Sequence, residues 1–265
     1  MLAPKKSLGQ NFLRDANVAR KIVESLHLRP SDVVVEIGPG QGALTKYLCA
    51  QTTTVAAIEV DERAIAVLRE TLKDDVRLIH SDVLDVSLRS LSEEFKSRLR
   101  VVGNIPYNIT SDILFWLFDN HDAVEDATLM VQLEVAHRFV AQPRTKDYGI
   151  LAVSVQLYSR PELLFKVSRN SFYPKPNVDS AVVRLLFKRE LPDFNETLFK
   201  TIVRGTFGKR RKTLRNGLRY IGFADQQLDR IAFDLSRRPE SLSLEEFLML
   251  AKKLEPLHKS LGERA

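Results

Sequence analysis

The sequence has one cysteine, Cys49, among 265 residues, which excludes an intrachain disulfide framework and a thiolate zinc cluster. A buried structural thiol and a reducing, cytoplasmic setting are expected. No run approaches the ~18 apolar residues that a membrane span needs. The opening Met1-Leu2-Ala3-Pro4-Lys5-Lys6 carries charge with no apolar stretch behind it, so a soluble, unexported chain is expected. The histidines at 27, 80, 121, 137 and 258 show none of the close spacings that build a metal site, and no metal is expected. Glycine and proline are scattered, and there is neither a repeat nor a low-complexity segment.

What is present is enough apolar sequence, 44%, to fill a core, and a net charge of +6 that favours a polyanionic partner. Ala16 to Leu26 carries Val18, Ala19, Ile22, Val23 and Leu26 at helical spacing behind a capping Asp15. Val33-Val34-Val35-Glu36-Ile37 is a short apolar run of the kind buried on both faces of a parallel sheet. Strand patterns at 54–60, 76–80, 100–103 and 127–132 then alternate with helical patterns at 43–51, 61–72, 110–119 and 133–141. This succession predicts an α/β fold, an open and mostly parallel sheet with helices on both faces. Residues 150–159 read as a helix, 162–168 and 180–188 as a closing antiparallel strand pair, and 195–207, 210–220 and 243–254 as helices. The last opens on a capping box, Ser243-Leu244-Glu245-Glu246. A boundary near 189 is expected, with one domain over 1–188 and a small all-helical domain over 189–265.

Gly38-Pro39-Gly40-Gln41-Gly42 lies between the first strand of the sheet and its helix, where glycines let a ligand approach the backbone and helix amides can face it. The spacing G-x-G-x-G departs from the dinucleotide fingerprint, and no lysine or arginine stands in the turn to meet a pyrophosphate. Glu59 closes the next strand, where a carboxylate can accept from ribose hydroxyls, and Asp82 follows the third, where it can accept from an adenine amine. Three such features at successive strand ends suit a nucleoside without phosphate. S-adenosylmethionine fits better than NAD.

Asn104-Ile105-Pro106-Tyr107 follows the fourth strand and is the most specific motif. The exocyclic nitrogen of adenine is a poor nucleophile because its lone pair is delocalised into the ring. The Asn104 side-chain oxygen, with the carbonyl of Ile105 or Pro106, can accept both amino hydrogens and localise that lone pair. Pro106 stiffens the turn, and Tyr107 offers a face for an extruded base. Phe172, in Ser171-Phe172-Tyr173-Pro174-Lys175-Pro176, is expected to close on the base's other face.

These motifs, together with Ser7-Leu8-Gly9-Gln10-Asn11-Phe12-Leu13, Asn177-Val178-Asp179-Ser180 and Phe207-Gly208-Lys209-Arg210-Arg211-Lys212-Thr213-Leu214-Arg215-Asn216, resemble the bacterial small-subunit ribosomal RNA adenine N6,N6-dimethyltransferases, relatives of the macrolide-resistance methylases. The likeness covers nearly the whole chain. It implies a Rossmann-like class I methyltransferase sheet with a helical C-terminal domain. It implies cofactor contacts at Asn11, Leu13, Gly38, Glu59, Asp82 and Asn104, and base contacts at Asn104, Tyr107 and Phe172; Gly40 of the turn joins the expected cofactor-binding residues and Pro106 of the motif the expected catalytic ones. The implied substrate is a pair of adjacent adenines in the hairpin near the 3′ end of small-subunit RNA. A segment that reads as irregular, residues 7–13, thereby acquires a role that periodicity does not give it.

The positive surplus concentrates at Arg204, Lys209, Arg210, Arg211, Lys212, Arg215 and Arg219, with no acid from Val203 to Tyr220. On one helix Arg211, Arg215 and Arg219 would share a face, a stripe suited to phosphates, and a monomer gripping ribosomal RNA is expected. The alternatives are a large-subunit RNA adenine methylase, an adenine-specific DNA methylase, and a non-catalytic assembly factor on the same fold.

Overall fold

The computed structural model describes residues 2–72, 76–209 and 211–262, without the side chains of Lys6 and 258–262. In chain order the elements are β1 (Phe12–Leu13), α1 (Ala16–Ser25), β2 (Val33–Ile37), α2 (Thr45–Leu48), β3 (Thr54–Glu59), α3 (Glu62–Leu72), β4 (Arg77–His80), α4 (Leu88–Phe95), β5 (Leu99–Asn104), α5 (Thr110–Asp119), β6 (Val124–Gln132) and α6 (Leu133–Phe139). There follow α7 (Ile150–Tyr158), β7 (Ser159–Val167), β8 (Phe172–Tyr173), β9 (Ser180–Phe187), α8 (Glu196–Phe207), α9 (Leu214–Tyr220), α10 (Asp225–Leu228) and α11 (Leu244–Gly262). They form two compact units, residues 1–137 with 158–190 and residues 138–157 with 191–265. A single cut near 189 is therefore not the whole division, because 138–157 group with the C-terminal helices.

In the first unit a seven-stranded sheet runs β4-β3-β2-β5-β6-β9-β7, parallel except for β9, which is antiparallel to both its neighbours. Its central strands are apolar because both faces are covered; every residue of β2 is buried. Asp15 caps α1, accepting from the amides of Asn17 and Val18, and Ala19, Ile22 and Val23 turn inward. At the end of the sheet where β5 and β6 begin, Arg100 bridges Asp126 (Nη2 to Oδ2, 2.5 Å) and Asp32 (2.8 Å) and donates to the carbonyl of Leu26 (2.7 Å). Paired carboxylates hold the guanidinium charged in spite of its burial.

The reversed β9 places its first residue, Ser180, opposite both Gln132 at the end of β6 and Val167 at the end of β7. The loop 168–179 is thereby delivered to the end of the sheet where the parallel strands finish. There β8 pairs antiparallel with β1, Phe12 opposite Tyr173 and Leu13 opposite Phe172. Residues 7–13, irregular by pattern, are thus a short 3₁₀ turn (Lys6–Leu8) followed by a strand; two residues are too few to show alternation. Only Thr45–Leu48 of the helix expected over 43–51 is α-helical, and α4 has no counterpart in the predicted elements.

The second unit packs aromatic rings and close helices. The rings of Tyr148 and Phe207 lie 6.1 Å apart and those of Phe207 and Phe247 5.7 Å apart. A side chain at Gly217 would come within 2.8 Å of the Thr206 backbone, so glycine there lets α9 lie against α8. The Ser243–Glu246 capping box forms reciprocally, at 2.9 and 3.2 Å. The basic stripe needs correction. α9 begins at Leu214, which leaves Arg211 in the turn before it, off the helix face. Arg215 is bound by Asp225 (3.1 Å) and Asp229 (2.8 Å), and Arg219 by Asp225 (3.5 Å). The sequence window holds no acid, but α10 and the residue that follows it fold back to supply two. Arg204, Arg211 and Lys212 are exposed, and Arg210 lies outside the described residues. Among the described residues no helix is long and apolar enough to cross a membrane.

Candidate active site

A cavity of about 270 Å³ opens where β2, β3, β4 and β5 end, lined by residues 7–12, 58–60, 81–83 and 104–109 with Ile37, Gly38 and Gly40. Gly38, Gly40 and Gly42 have φ of +62°, +56° and +77°, the left-handed region that glycine tolerates. The amides of these glycines are engaged within the chain. Gly38 N–H donates to Ile58 O (2.9 Å), Gly42 N–H to Pro39 O (2.9 Å) and Gly40 N–H to Glu59 Oε2 (3.0 Å). The turn offers open space instead: a Cβ at Gly38 would meet nothing within 4 Å, whereas one at Gly40 would press on the Phe12 ring at 3.1 Å.

Glu59 is buried and oriented by backbone, since Oε1 also accepts from the amides of Val60 (2.9 Å) and Asp61 (2.8 Å). Asp82 is exposed on the wall; one oxygen caps the following turn through Leu84 N–H at 3.0 Å, and a carboxylate has a second oxygen to spare. Behind the wall, Glu36 is fully buried beside Thr45 and Glu59, its Oε2 without a hydrogen-bond partner among the described residues. Burial, aided by the Glu59 charge, pushes its pKa up to about 8.

Asn104 stands at the tip of β5. Its Nδ2 donates to the carbonyl of Asn11 at 2.8 Å, so its Oδ1 is the atom presented for accepting. The Pro106 carbonyl already accepts from Ile109 N–H (3.2 Å) and the Thr110 hydroxyl (3.3 Å). Gly103 makes this approach possible, for a Cβ there would sit 2.8 Å from Ile37 O. Tyr107 lines the cavity with its hydroxyl 2.7 Å from Ser180 Oγ, and burial raises its pKa.

Two expected contacts lie elsewhere. Leu13 and Phe172, 8% and 5% exposed, pack in the core with Ile22 and Val182 rather than on the cavity wall. Alternation along β1 and β8 is the cause, since paired residues share a face: Leu13 and Phe172 turn inward, Phe12 and Tyr173 outward. Tyr173 is 47% exposed, with the Arg14 guanidinium 3.9 Å from its ring centre. Phe172 thus lies behind the cavity wall rather than on it. Sequence reasoning missed Phe12, Gly9 and Asn108 on the wall. The signal in sequence for Gly9 and Phe12 was the Ser7–Leu13 segment of the resemblance; in the fold Gly9 has φ +61°, and a Cβ would fall 2.3 Å from Asn108 Oδ1. Among the described residues no group of three or more His, Cys, Asp or Glu could hold a metal ion.

A mostly parallel sheet with a glycine turn after its first strand, acids after the next two and Asn-Ile-Pro-Tyr after the fourth defines a Rossmann-like class I methyltransferase. The chain belongs to the ribosomal RNA adenine dimethylase family, whose model matches residues 1–255. It is 48% identical over 259 residues to the ribosomal RNA small subunit methyltransferase A of Chlorobium phaeobacteroides strain BS1, covering 97% of this chain and 95% of that protein. It is 42% identical over 269 residues to the protein of that name from Moorella thermoacetica, covering 96% and 93%. Among solved structures, a dimethyladenosine transferase from Plasmodium falciparum superposes with a TM-score of 0.80 at 25% identity, covering 92% of this chain and 98% of that one. The 23S rRNA methyltransferase ErmE superposes at 0.68 with 30% identity, covering 92% and 100%.

Proposed function

We infer that the chain transfers methyl groups from S-adenosylmethionine to N6 of two adjacent adenines in the 3′-terminal hairpin of 16S ribosomal RNA, giving N6,N6-dimethyladenosines during ribosome biogenesis in the cytoplasm. Relatives named for the small subunit match at 42–48% identity, against 30% for the 23S methyltransferase, which favours the small-subunit substrate over the large.

The cavity suits the donor. Glu59 is held to accept from ribose hydroxyls, Asp82 from an adenine amine, and the open face of Gly38 leaves room for close approach, with Gly40 and Asn11 completing the rim. When bound, S-adenosylmethionine supplies an electrophilic methyl. The chain prepares the nucleophile: Asn104 Oδ1 and the Ile105 carbonyl accept the two hydrogens of the adenine amine and concentrate its lone pair on nitrogen. Pro106 fixes the turn, and Tyr107 offers its ring to the extruded base. The N–C bond forms as the S–C bond breaks, and the nitrogen's proton passes to solvent. The observation that carries this reading is the hydrogen bond from Asn104 Nδ2 to Asn11, because it aims the amide's acceptor end outward. Residues 191–265 grip the RNA through Arg204, Arg211 and Lys212, with Arg210 beside them in sequence.

The test is to incubate unmethylated small subunits and 23S RNA with labelled S-adenosylmethionine and map the product. Label is expected on two neighbouring 16S adenines and absent from 23S RNA, with Asn104→Ala slower by roughly 10²–10³-fold. Label on 23S RNA alone, or undiminished transfer by the variant, refutes the reading.

A further inference from the structure

We propose that Asp61 is the positioning residue that fastens the N-terminal strap, residues 2–13, across the cavity, and that through the strap it sets the orientation of Asn104. The inference rests on the reading of the cavity as a methyl-donor site. Asp61 adjoins the wall without lining it, and its side chain is wholly inaccessible. Its carboxylate accepts from Lys5 Nζ (3.1 Å) and Gln10 Nε2 (3.1 Å) of the strap, and from Arg63 Nε (3.0 Å) and Nη2 (2.6 Å). Arg63 in turn reaches the Ala3 carbonyl at 3.2 Å, and Lys5 N–H donates to Gln10 Oε1 at 2.8 Å. One acid thus gathers three strap residues onto the start of α3. Arg63 above all, with Gln10 and Lys5, holds the carboxyl well below the usual carboxylate range, so the fastening keeps its charge at every physiological pH.

The far end of the same strap touches the chemistry. Residues 7–12 form a wall of the cavity, Phe12 lies against Gly40, and the Asn11 carbonyl holds Asn104 Nδ2. An amide side chain turns its donor or its acceptor outward according to what engages the other end. A strap free to leave releases the Asn104 amide along with the wall. Asp61 also caps α3, through Arg63 N–H at 3.3 Å, so substitution of Asp61 itself would disturb the helix. The informative variants are on the strap: Lys5→Ala, with Lys5→Arg as the conservative partner, and Gln10→Glu, which sets a carboxylate against Asp61 at unchanged size.

Hydrogen exchange of amides 7–12 in the chain without donor is expected to quicken about tenfold in Lys5→Ala and Gln10→Glu, and the calorimetric Kd for S-adenosylmethionine to rise about tenfold, the scale of one lost charge-assisted hydrogen bond. Lys5→Arg restores both. The melting temperature stays at the wild-type value, and kcat falls even at saturating donor. Wild-type exchange and affinity in both variants overturn the fastening; an unchanged kcat at saturation overturns the link to Asn104. A wild-type chain that binds no S-adenosylmethionine defeats the parent reading instead, and the exchange measurement on the strap still decides the fastening.

Discussion

The ends of the parallel strands and the basic run before and within α9 both looked simple in sequence, and they behave oppositely in the fold. At the strand ends, Glu59, Asp82 and Asn104 come from separate segments and converge on one cavity. In the basic run, neighbouring cations that looked like one stripe are sorted by their surroundings: Arg215 and Arg219 are neutralised by Asp225 and Asp229, whereas Arg211 and Lys212 point from an exposed turn. A parallel sheet brings successive strand ends together by its topology, so order along the chain becomes proximity. Nothing comparable fixes the partners of a surface charge, which depend on where a later helix returns.

The largest expected effect tests the strand-end side. Phe172→Ala should cost about 3–5 kcal/mol in urea unfolding, as for other buried aromatics, because its ring belongs to the core. A variant that keeps its stability yet loses methyl transfer would show that the ring leaves the core to meet the base, and the inward face of β8 would then be a resting position. Next, on the basic run, Arg211→Glu with Lys212→Glu should weaken binding of small-subunit RNA by about 10–100-fold at moderate salt and lower the slope of log K against log salt by about 2. Arg215→Ala should change affinity by less than about threefold, since a cation already bound by two acids releases few counterions on meeting phosphate. Equal losses in a filter-binding series would restore the stripe and break the contrast.

The remaining effect is one of slope. Glu36 keeps its proton in the folded chain up to about pH 8, against a usual value of 4.5, while the unfolded chain releases it near that usual value. Unfolding between these pH values sheds a proton, so Glu36 makes the chain progressively less stable as pH rises through this window, with no further loss above it. Glu36→Gln should match the wild type below pH 4.5 and gain on it steadily up to about pH 8, read as melting temperature against pH. Parallel curves would mean that the carboxyl is not buried as a neutral acid.

Much of the fold was legible. α1 with its Asp15 cap, β2, the alternation to β6, the antiparallel partnership of β7 and β9, and the capping box of α11 all follow from period, length and cap chemistry. α4 was not, although Ser87 caps it and Leu88 and Leu91 face inward at helical spacing; eight residues give too little period to stand out. The cavity's acids and Asn104 were readable because each closes or directly follows a strand. The glycines were expected to let a ligand approach, and the hydrogen bonds of their own amides to Ile58, Glu59 and Pro39 were not legible, since they depend on which strand ends meet the turn. Phe172 and Leu13 were misplaced because the direction of a two-residue strand is settled only by its partner, some 160 positions away along the chain.

That pairing of β1 with β8 also bears on how the molecule is made. The strap emerges before its partner strand during synthesis, because Phe12 pairs with Tyr173, so the β1–β8 pair cannot close until most of the first unit has left the ribosome. Contacts of such high sequence separation form late. The cavity wall is therefore secured by β8 only after that strand has been made, and a nascent chain truncated before it, however well its central strands have paired, lacks that support.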